Sequence, residues 1–142
     1  MTDTTKYEAL KLKNQLCFPL YAASREIVKQ YRPYLEDLDL TYTQYIAMMV
    51  FWEEKKLKKL FLDSGTLTPV LKSLESKGFV VRSRSKEDER VLDVEITEKG
   101  ETLKEQAVSI PQSVAGCVKL DGEEAVQLYQ LLYKVLGALK DG

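Results

Sequence analysis

Apolar side chains recur every three to four positions over several long stretches of the chain, as they do along one face of an amphipathic helix. Stripes of this kind predict helices over residues 7–31, 41–54 and 64–77. A fourth stripe covers 98–110 and stops at a proline, and a broad one after residue 121 predicts the last helix. Most of the chain is therefore expected to be helical.

Capping residues and prolines set the expected ends of these helices. Thr41 can cap the second helix, and Gly78 can follow the third, where a left-handed residue is often needed. Pro19 is expected to bend the first helix, because it has no N–H to donate, and Pro33 to mark its end. The dipeptide at 68–69, a threonine before a proline, offers a later alternative start for the third helix.

The period of the apolar side chains changes to two directly after the third helix. Residues 80–84 and 92–97 alternate as paired strands do, and the charged segment SKEDER joins them. A helix followed at once by a hairpin with basic residues is the outline of a winged helix-turn-helix. The predicted fold class is mainly α with a small β-hairpin wing, an α+β arrangement.

The first and last helices carry more apolar surface than a small winged domain can cover. We expect residues 7–35 and 98–142 to form dimerisation helices that pack on each other across a two-fold axis. Residues 38–97 are then the winged helix-turn-helix region that binds DNA. One chain would thus supply half of a homodimer.

Charge is concentrated in the middle of the chain, although the net charge of the 142 residues is only −1. Residues 55–86 hold nine Lys or Arg and two Asp or Glu, a net of +7, whereas all other residues together have a net of −8. A solvated face usually mixes the two signs. A basic block in an acidic chain is instead typical of a surface that binds nucleic acid.

Several classes of site are excluded by what the sequence lacks. It has no histidine, which removes a histidine base, a Ser-His triad and the common zinc sites, and it has no P-loop or GxGxxG segment. We therefore expect no enzyme activity, no cofactor and no metal. Without a signal peptide or an apolar run of about 18 residues, the expected location is the cytoplasm, with no membrane partner.

Candidate DNA contacts fall on the third predicted helix and on the hairpin. Hydroxyl side chains and backbone N–H groups at a helix N-terminus can reach phosphates or base edges, although simple capping is the alternative. Lys72 is expected to touch the DNA backbone, and Arg90 to enter the minor groove with Asp88 holding its guanidinium. For the hairpin, a solvated loop is the alternative. The full set is Ser64, Gly65, Thr66, Thr68, Pro69, Lys72, Arg82, Arg84, Lys86, Asp88 and Arg90.

Cys17 lies in the apolar helical stretch KNQLCFPLYAASREIVKQY, where helical spacing puts Tyr21 and Tyr31 about 40° to either side of it. Hydrogen bonds from phenols can favour a thiolate, which is the form of cysteine that attacks peroxides. An inert cysteine in an ordinary core is the alternative. The second cysteine, Cys117, follows 100 residues later, and both are expected to be reduced thiols.

A resemblance to MarR-family transcriptional regulators is carried by LDSGTLTPVLKSLESKGFVVRSRSKEDERVLDVEITEKG, which is similar to their recognition helix and wing. The segment NQLCFPLYAASREIVKQY resembles the first helix of the OhrR-type branch, which senses organic hydroperoxides. The resemblance covers nearly the whole chain and implies a homodimeric repressor that binds a pseudo-palindromic, double-stranded operator. The helices at 64–77 would enter successive major grooves, and Asp88, Glu89 and Arg90 would lie at the minor groove.

The same resemblance implies a redox role for the cysteines. Cys17 would be the sensor of organic hydroperoxide, with Tyr21 and Tyr31 as the phenols that contact it, often from the other subunit. Its sulfenic acid would condense with Cys117 of the other subunit, and the disulfide would move the dimer helices and release the operator. Two alternatives stay open: Cys117 is an incidental residue, or a low-molecular-weight thiol forms a mixed disulfide with Cys17.

One segment departs from the family pattern. Only nine residues, EEKKLKKLF, lie between Trp52 and Leu62. The family has a longer segment here, which builds the first helix of the helix-turn-helix, and nine residues are too few for that element. The roles of the lysines in this segment therefore stay open.

Three other functions fit part of the sequence. A MarR-type repressor switched by a small phenolic or aromatic ligand would leave Cys17 with a structural role only. A thiol peroxidase would explain a reactive cysteine, but the thioredoxin-like alternation of strands and helices is absent. A structural dimer adaptor would explain the apolar helices and gives no reason for the basic block.

Overall fold

A computed structural model describes residues 5–55, 64–84 and 92–141 of the chain. Two short 3-10 turns, Thr5–Leu10 and Leu12–Asn14, precede the first α-helix. In chain order the remaining elements of the described residues are α1 (Cys17–Glu36), α2 (Tyr42–Glu54), α3 (Ser64–Ser76), β1 (Val80–Arg84), β2 (Leu92–Ile96), α4 (Glu98–Ala107), α5 (Ile110–Val118) and α6 (Gly122–Asp141).

Helices and one antiparallel hairpin confirm the predicted mainly α fold with a β-hairpin wing. β1 pairs with β2 from Val80 opposite Ile96 to Arg84 opposite Leu92. Gly78 joins α3 to β1 with a φ of 83°, a left-handed conformation that glycine adopts without strain. The predicted order of helix, glycine turn and hairpin is therefore confirmed.

The first α-helix begins later and ends later than predicted. α1 starts at Cys17, so Pro19 is its third residue, where a backbone N–H would have no intrahelical acceptor. Pro19 therefore removes no hydrogen bond from the helix, and the reason for expecting a bend there is lost. Pro33 does not end the helix either, because it lies inside the last turns and α1 continues to Glu36.

The region predicted as one helix over 98–110 forms two. α4 ends at Ala107, and α5 begins at Ile110 with Pro111 in its first turn. The fixed φ of proline suits the start of a helix, where its missing N–H costs nothing. Pro111 thus begins a helix rather than following the end of one.

Most of the core lies in the winged head, the name used here for α2, α3, β1, β2 and α4, and buried side chains of α1 and α5, such as Leu35, Ile110 and Val114, complete it. Thr41 caps α2 in a capping box with Gln44, as predicted for the threonine. The buried amide of Gln44 also donates to Ser73 Oγ at 2.8 Å, which ties α2 to α3. Apolar side chains from both helices and the hairpin close the core, among them Tyr45, Met48, Phe51, Trp52, Val70, Leu71, Leu74, Phe79, Val80 and Val94.

α4 approaches the hairpin closely because Gly100 has no side chain. A Cβ at this position would lie 2.4 Å from the carbonyl oxygen of Phe79 and 2.8 Å from Cγ1 of Ile96. The carbonyl of Gly100 accepts a hydrogen bond of 2.9 Å from the buried Trp52 indole. Thr97 caps α4, accepting from the N–H of Gly100 at 3.1 Å. These contacts join α2, α4 and the base of the wing.

α6 differs from the winged head because its apolar side chains stay uncovered. Leu132 and Leu136 are half-buried, whereas Leu128, Leu131 and Leu139 are exposed. Asp121 and Glu124 form a capping box at its start, with hydrogen bonds of 2.8 and 3.1 Å. None of the helices in the described ranges has the length and apolar character needed to cross a membrane.

Candidate nucleic-acid interface and thiol sites

α3 turns one face to the core and the other to solvent. Val70, Leu71 and Leu74 are buried, whereas Thr68, Pro69 and Lys72 are exposed. The helix begins at Ser64 and runs through Pro69, so the alternative start at 68–69 is not used. The exposed face of α3 is therefore the one on which DNA contacts were predicted.

Several of the predicted DNA contacts are described by their backbone only or lie outside the described residues. Ser64, Gly65 and Thr66 form the first turn of α3, and the structure describes their backbone only. Arg84 ends β1 and is likewise described by its backbone. Lys86, Asp88, Glu89 and Arg90 lie outside the described residues, as do the lysines at 56, 58 and 59. Their DNA contacts stay predictions.

Arg82 is engaged inside the protein. Its Nε donates to Oε1 of Glu75 at 3.1 Å, and a terminal guanidinium nitrogen lies 3.0 Å from the same oxygen. Its backbone N–H donates to the other oxygen, Oε2, at 3.1 Å. Hydrogen bonds from Arg82 hold the pKa of the Glu75 carboxyl below its ordinary value. The pair fastens β1 to the last turn of α3.

Two other cations of the basic block are paired internally as well. Lys77 Nζ donates to the carbonyl of Asp39 at 2.5 Å and to Oε1 of Gln44 at 2.9 Å. Lys55, at the end of α2, forms an ion pair with Glu101 of α4. Lys72 is exposed and has no ion pair within the described part of the chain. The net charge of the block thus overstates the number of its free cations.

Cys17 is the first residue of α1, and its free thiol is exposed in the single chain. Tyr21, one turn later, is 58% exposed. Its hydroxyl accepts a hydrogen bond of 2.9 Å from Arg25, whose guanidinium also lies over the Tyr21 ring at 5.5 Å from the centroid. The two predicted site residues therefore lie together on the exposed start of α1.

Tyr31 is half-buried and packs against the winged head. Its ring centroid lies 5.0 Å from that of Tyr42 and 5.7 Å from that of Tyr45. A helix rises about 1.5 Å per residue, so fourteen residues separate Tyr31 from Cys17 by roughly 21 Å along α1. The phenol of Tyr31 therefore does not reach Cys17 of its own chain.

Tyr42 and Tyr45 were not among the predicted site residues. Burial raises the pKa of both phenols, and the neighbouring Tyr31 adds to that rise. Both therefore stay protonated at neutral pH and can donate hydrogen bonds. Their spacing of three residues on a predicted helix placed them on one face, but only the fold shows that this face meets Tyr31.

Cys117 lines a groove of about 380 Å³ between α1 and α5. The α1 wall of the groove consists of Glu26, Ile27 and Gln30, while Val114, Gly116, Val118 and Lys119 complete it. The thiol is free and exposed, and it lies 3.8 Å from the carbonyl oxygen of Ser113. Ile27 lies ten residues after Cys17, roughly 15 Å along the helix axis. Cys117 thus lies beside the middle of α1, whereas Cys17 lies at its start, and both cysteines are free thiols in the single chain.

Sequence comparison relates the chain to known regulators. A family model described as transcriptional regulator SarA/Rot matches residues 29–107. The organic hydroperoxide resistance transcriptional regulator of Bacillus subtilis strain 168 is 49% identical over an aligned length of 140, and the match covers 94% of this chain and 95% of that protein.

Structural comparison gives matches of the same kind. Reduced AbfR bound to DNA, a protein of Staphylococcus epidermidis, matches with a TM-score of 0.76 and 32% identity over 96% of this chain and 97% of that one. The disulfide form of AbfR has a TM-score of 0.63 and 33% identity over 97% and 98%. The two AbfR forms thus resemble this chain to different degrees.

Proposed function

The chain belongs to the SarA/Rot family of winged-helix transcriptional regulators, and we propose that it is a homodimeric repressor switched by oxidation of Cys17. Its similarity to a regulator of organic hydroperoxide resistance confirms the resemblance to MarR-type sensors of organic hydroperoxide. In the reduced state it binds double-stranded, pseudo-palindromic operator DNA in the cytoplasm. Oxidation by organic hydroperoxide releases the operator. The protein acts as a regulator, and not as an enzyme.

DNA binding is supported by the exposed face of α3 beside the hairpin. Thr68, Pro69 and Lys72 point to solvent from a helix whose other face is fixed in the core. In a winged helix-turn-helix such a helix enters the major groove, and the wing lies beside the backbone or minor groove. AbfR, which shares this fold, has been captured on DNA in its reduced form.

The observation that carries the redox proposal is the exposure of Cys17 on an uncovered apolar surface. Leu16, Phe18 and Leu20 around it are exposed in the single chain, as are three leucines of α6, Leu128, Leu131 and Leu139. A soluble protein rarely leaves so large an apolar surface open, and a second copy would cover it. In that dimer, the partner's Tyr31 and Tyr42 could approach a Cys17 thiol that they cannot reach within one chain.

The chemistry requires one peroxide and two thiols. The Cys17 thiolate attacks the outer oxygen of the hydroperoxide, the O–O bond breaks, and the alcohol leaves, which converts the thiolate to sulfenic acid. The Cys117 thiolate of the other subunit then attacks that sulfur, a disulfide forms, and water leaves. Cys117 lies beside the middle of α1 of its own chain and Cys17 at the start of α1, so we place the disulfide between subunits. It would pull α1 of one subunit towards α5 of the other.

Binding of a selected DNA duplex, before and after cumene hydroperoxide, tests this function. The duplex is obtained by letting the reduced protein select from a random-sequence pool. We expect oxidised wild-type protein to lose at least about tenfold in affinity, and Cys17→Ser to lose none. Loss of affinity in Cys17→Ser under peroxide would contradict the proposal. A response of Cys17→Ser to a phenolic or aromatic ligand would point to a ligand-switched repressor instead.

A non-reducing gel separates the two redox routes. Wild-type protein treated with hydroperoxide should give a covalent dimer, and Cys117→Ser should not. A wild type that releases DNA while remaining monomeric on the gel would assign the switch to sulfenic acid, or to a mixed disulfide with a low-molecular-weight thiol.

A further inference from the structure

We propose that Arg82 is a positioning residue, which fixes the wing to α3 through Glu75, and that Lys72 is the described cation that contacts a DNA phosphate. The proposal divides the basic block into cations that hold the winged head together and cations that meet DNA. It rests on the proposed DNA binding, and it is independent of the redox switch.

Both oxygens of the Glu75 carboxylate contact Arg82. Oε1 accepts from Nε of Arg82 at 3.1 Å and lies 3.0 Å from a terminal guanidinium nitrogen, and Oε2 accepts from the backbone N–H of Arg82 at 3.1 Å. The side chains are 24% and 37% exposed, so water screens the pair only in part. A planar guanidinium with two of its nitrogens on one carboxylate oxygen has little freedom to turn towards a phosphate.

The backbone bond matters as much as the ion pair. A two-stranded sheet leaves alternate N–H groups of each strand pointing away from its partner. In β1, the N–H of Arg82 is taken by Glu75, which lies in the last turn of α3. The carboxylate therefore ties the outer edge of the wing to the helix that carries the predicted base contacts. The angle between wing and helix depends on this tie.

Lys72 has the opposite surroundings. It lies on the same helix, one turn before Glu75, and its side chain is exposed. No acid pairs with it within the described residues. A lysine that is free in the unbound protein releases a counterion when it neutralises a phosphate, whereas an arginine already neutralised by a carboxylate releases little.

The salt dependence of DNA affinity tests this division. Affinity for the duplex selected by the wild type is measured by fluorescence anisotropy between about 50 and 200 mM salt. The slope of log affinity against log salt is negative, and Lys72→Gln should make it shallower by about 0.9 per subunit. Arg82→Gln should weaken binding about tenfold at every salt concentration and leave the slope unchanged.

Glu75→Gln provides the sharpest contrast. Removal of a negative charge near DNA would by itself strengthen binding, but loss of a positioning pair weakens it. We therefore expect Glu75→Gln to bind about as weakly as Arg82→Gln, and the double variant to be no weaker than either single one. Arg82→Lys keeps the charge but loses the planar guanidinium whose two nitrogens contact Glu75, so this variant should also bind DNA weakly.

Three results would overturn the assignment. A shallower salt dependence in Arg82→Gln would show that Arg82 contacts a phosphate. Tighter binding by Glu75→Gln would show that this carboxylate acts through its charge alone. Equal losses of affinity and of thermal stability in every variant of the pair would show a general structural role. Wild-type protein that selects no duplex would overturn the proposed function and this assignment together.

Discussion

The winged head and α6 are built from similar apolar side chains, but only the winged head buries them within one chain. Leu74 of α3 is 0% exposed, and Leu139 of α6 is 73% exposed. Both belong to regular stripes with helical spacing. A stripe therefore reveals that a helix has a partner, and it does not reveal whether the partner lies in the same chain.

This difference separates folding from assembly. The winged head has core, caps and close contacts of its own, so it can be expected to keep its shape in each subunit. The start of α1 and the whole of α6 depend on a second copy to cover their leucines. A sensor cysteine at the start of α1 would then lie where the two copies meet, and its oxidation would act on assembly geometry rather than on the core of the head.

The largest expected effect is on the core. Leu74→Ala should lower the free energy of unfolding by about 2–5 kcal/mol, because it removes buried methyl groups and leaves a cavity. The loss should not depend on protein concentration. Leu139→Ala is the matched control: any loss it causes should grow as the protein is diluted, since it would act through the dimer. Chemical unfolding at two protein concentrations measures both. A large, concentration-independent loss in Leu139→Ala would break the comparison.

Two glycine substitutions should change the free energy of unfolding in opposite directions. Gly100→Ala would place a Cβ 2.4 Å from the Phe79 carbonyl oxygen, and we expect it to lower the free energy of unfolding by about 1–3 kcal/mol. At Gly137 of α6 a Cβ would meet nothing within 4 Å, so Gly137→Ala should stabilise the helix by roughly 0.5–1 kcal/mol. Thermal unfolding checks both. Destabilisation by Gly137→Ala would indicate that the second copy packs closely at that position.

The smallest effect concerns pH. Hydrogen bonds from Arg82 hold the pKa of Glu75 below its ordinary value of 4.5, so the folded state favours the charged carboxylate. The contribution of the pair is complete above the unfolded pKa and is lost as the pH falls through the folded one. Wild-type protein should therefore lose more stability than Glu75→Gln on acidification below about pH 4.5. Parallel pH curves would contradict the assignment of this ion pair.

Local features of the fold were predictable from the sequence, because their causes are local. Thr41, Thr97 and Asp121 cap helices through groups three residues away, and the hairpin follows from strict alternation. Pro111 gave a wrong helix boundary, and the reason for expecting a bend at Pro19 does not apply, because both prolines lie in the first turn of a helix. A proline is harmless there and disruptive later, and the residue itself does not say which applies.

The site was less predictable than the fold, because it depends on contacts between distant parts of the chain. A count of charges placed Arg82 and Lys77 in the basic block, and only the fold brings them to Glu75 and Asp39. Tyr31 lay on the same helical face as Cys17, but angular position along a helix says nothing about the roughly 21 Å between them. Its predicted contact therefore needs the partner subunit.

The most direct test of a switch built between two subunits uses a mixed dimer of Cys17→Ser and Cys117→Ser chains, one carrying a size tag. Such a dimer retains one Cys17 and one Cys117, on opposite subunits. After cumene hydroperoxide, a non-reducing gel should show a covalent species that contains both chains, and affinity for the selected duplex should fall. No cross-linked species in the mixed dimer, under conditions where wild-type protein releases DNA, would contradict an intersubunit disulfide as the signal.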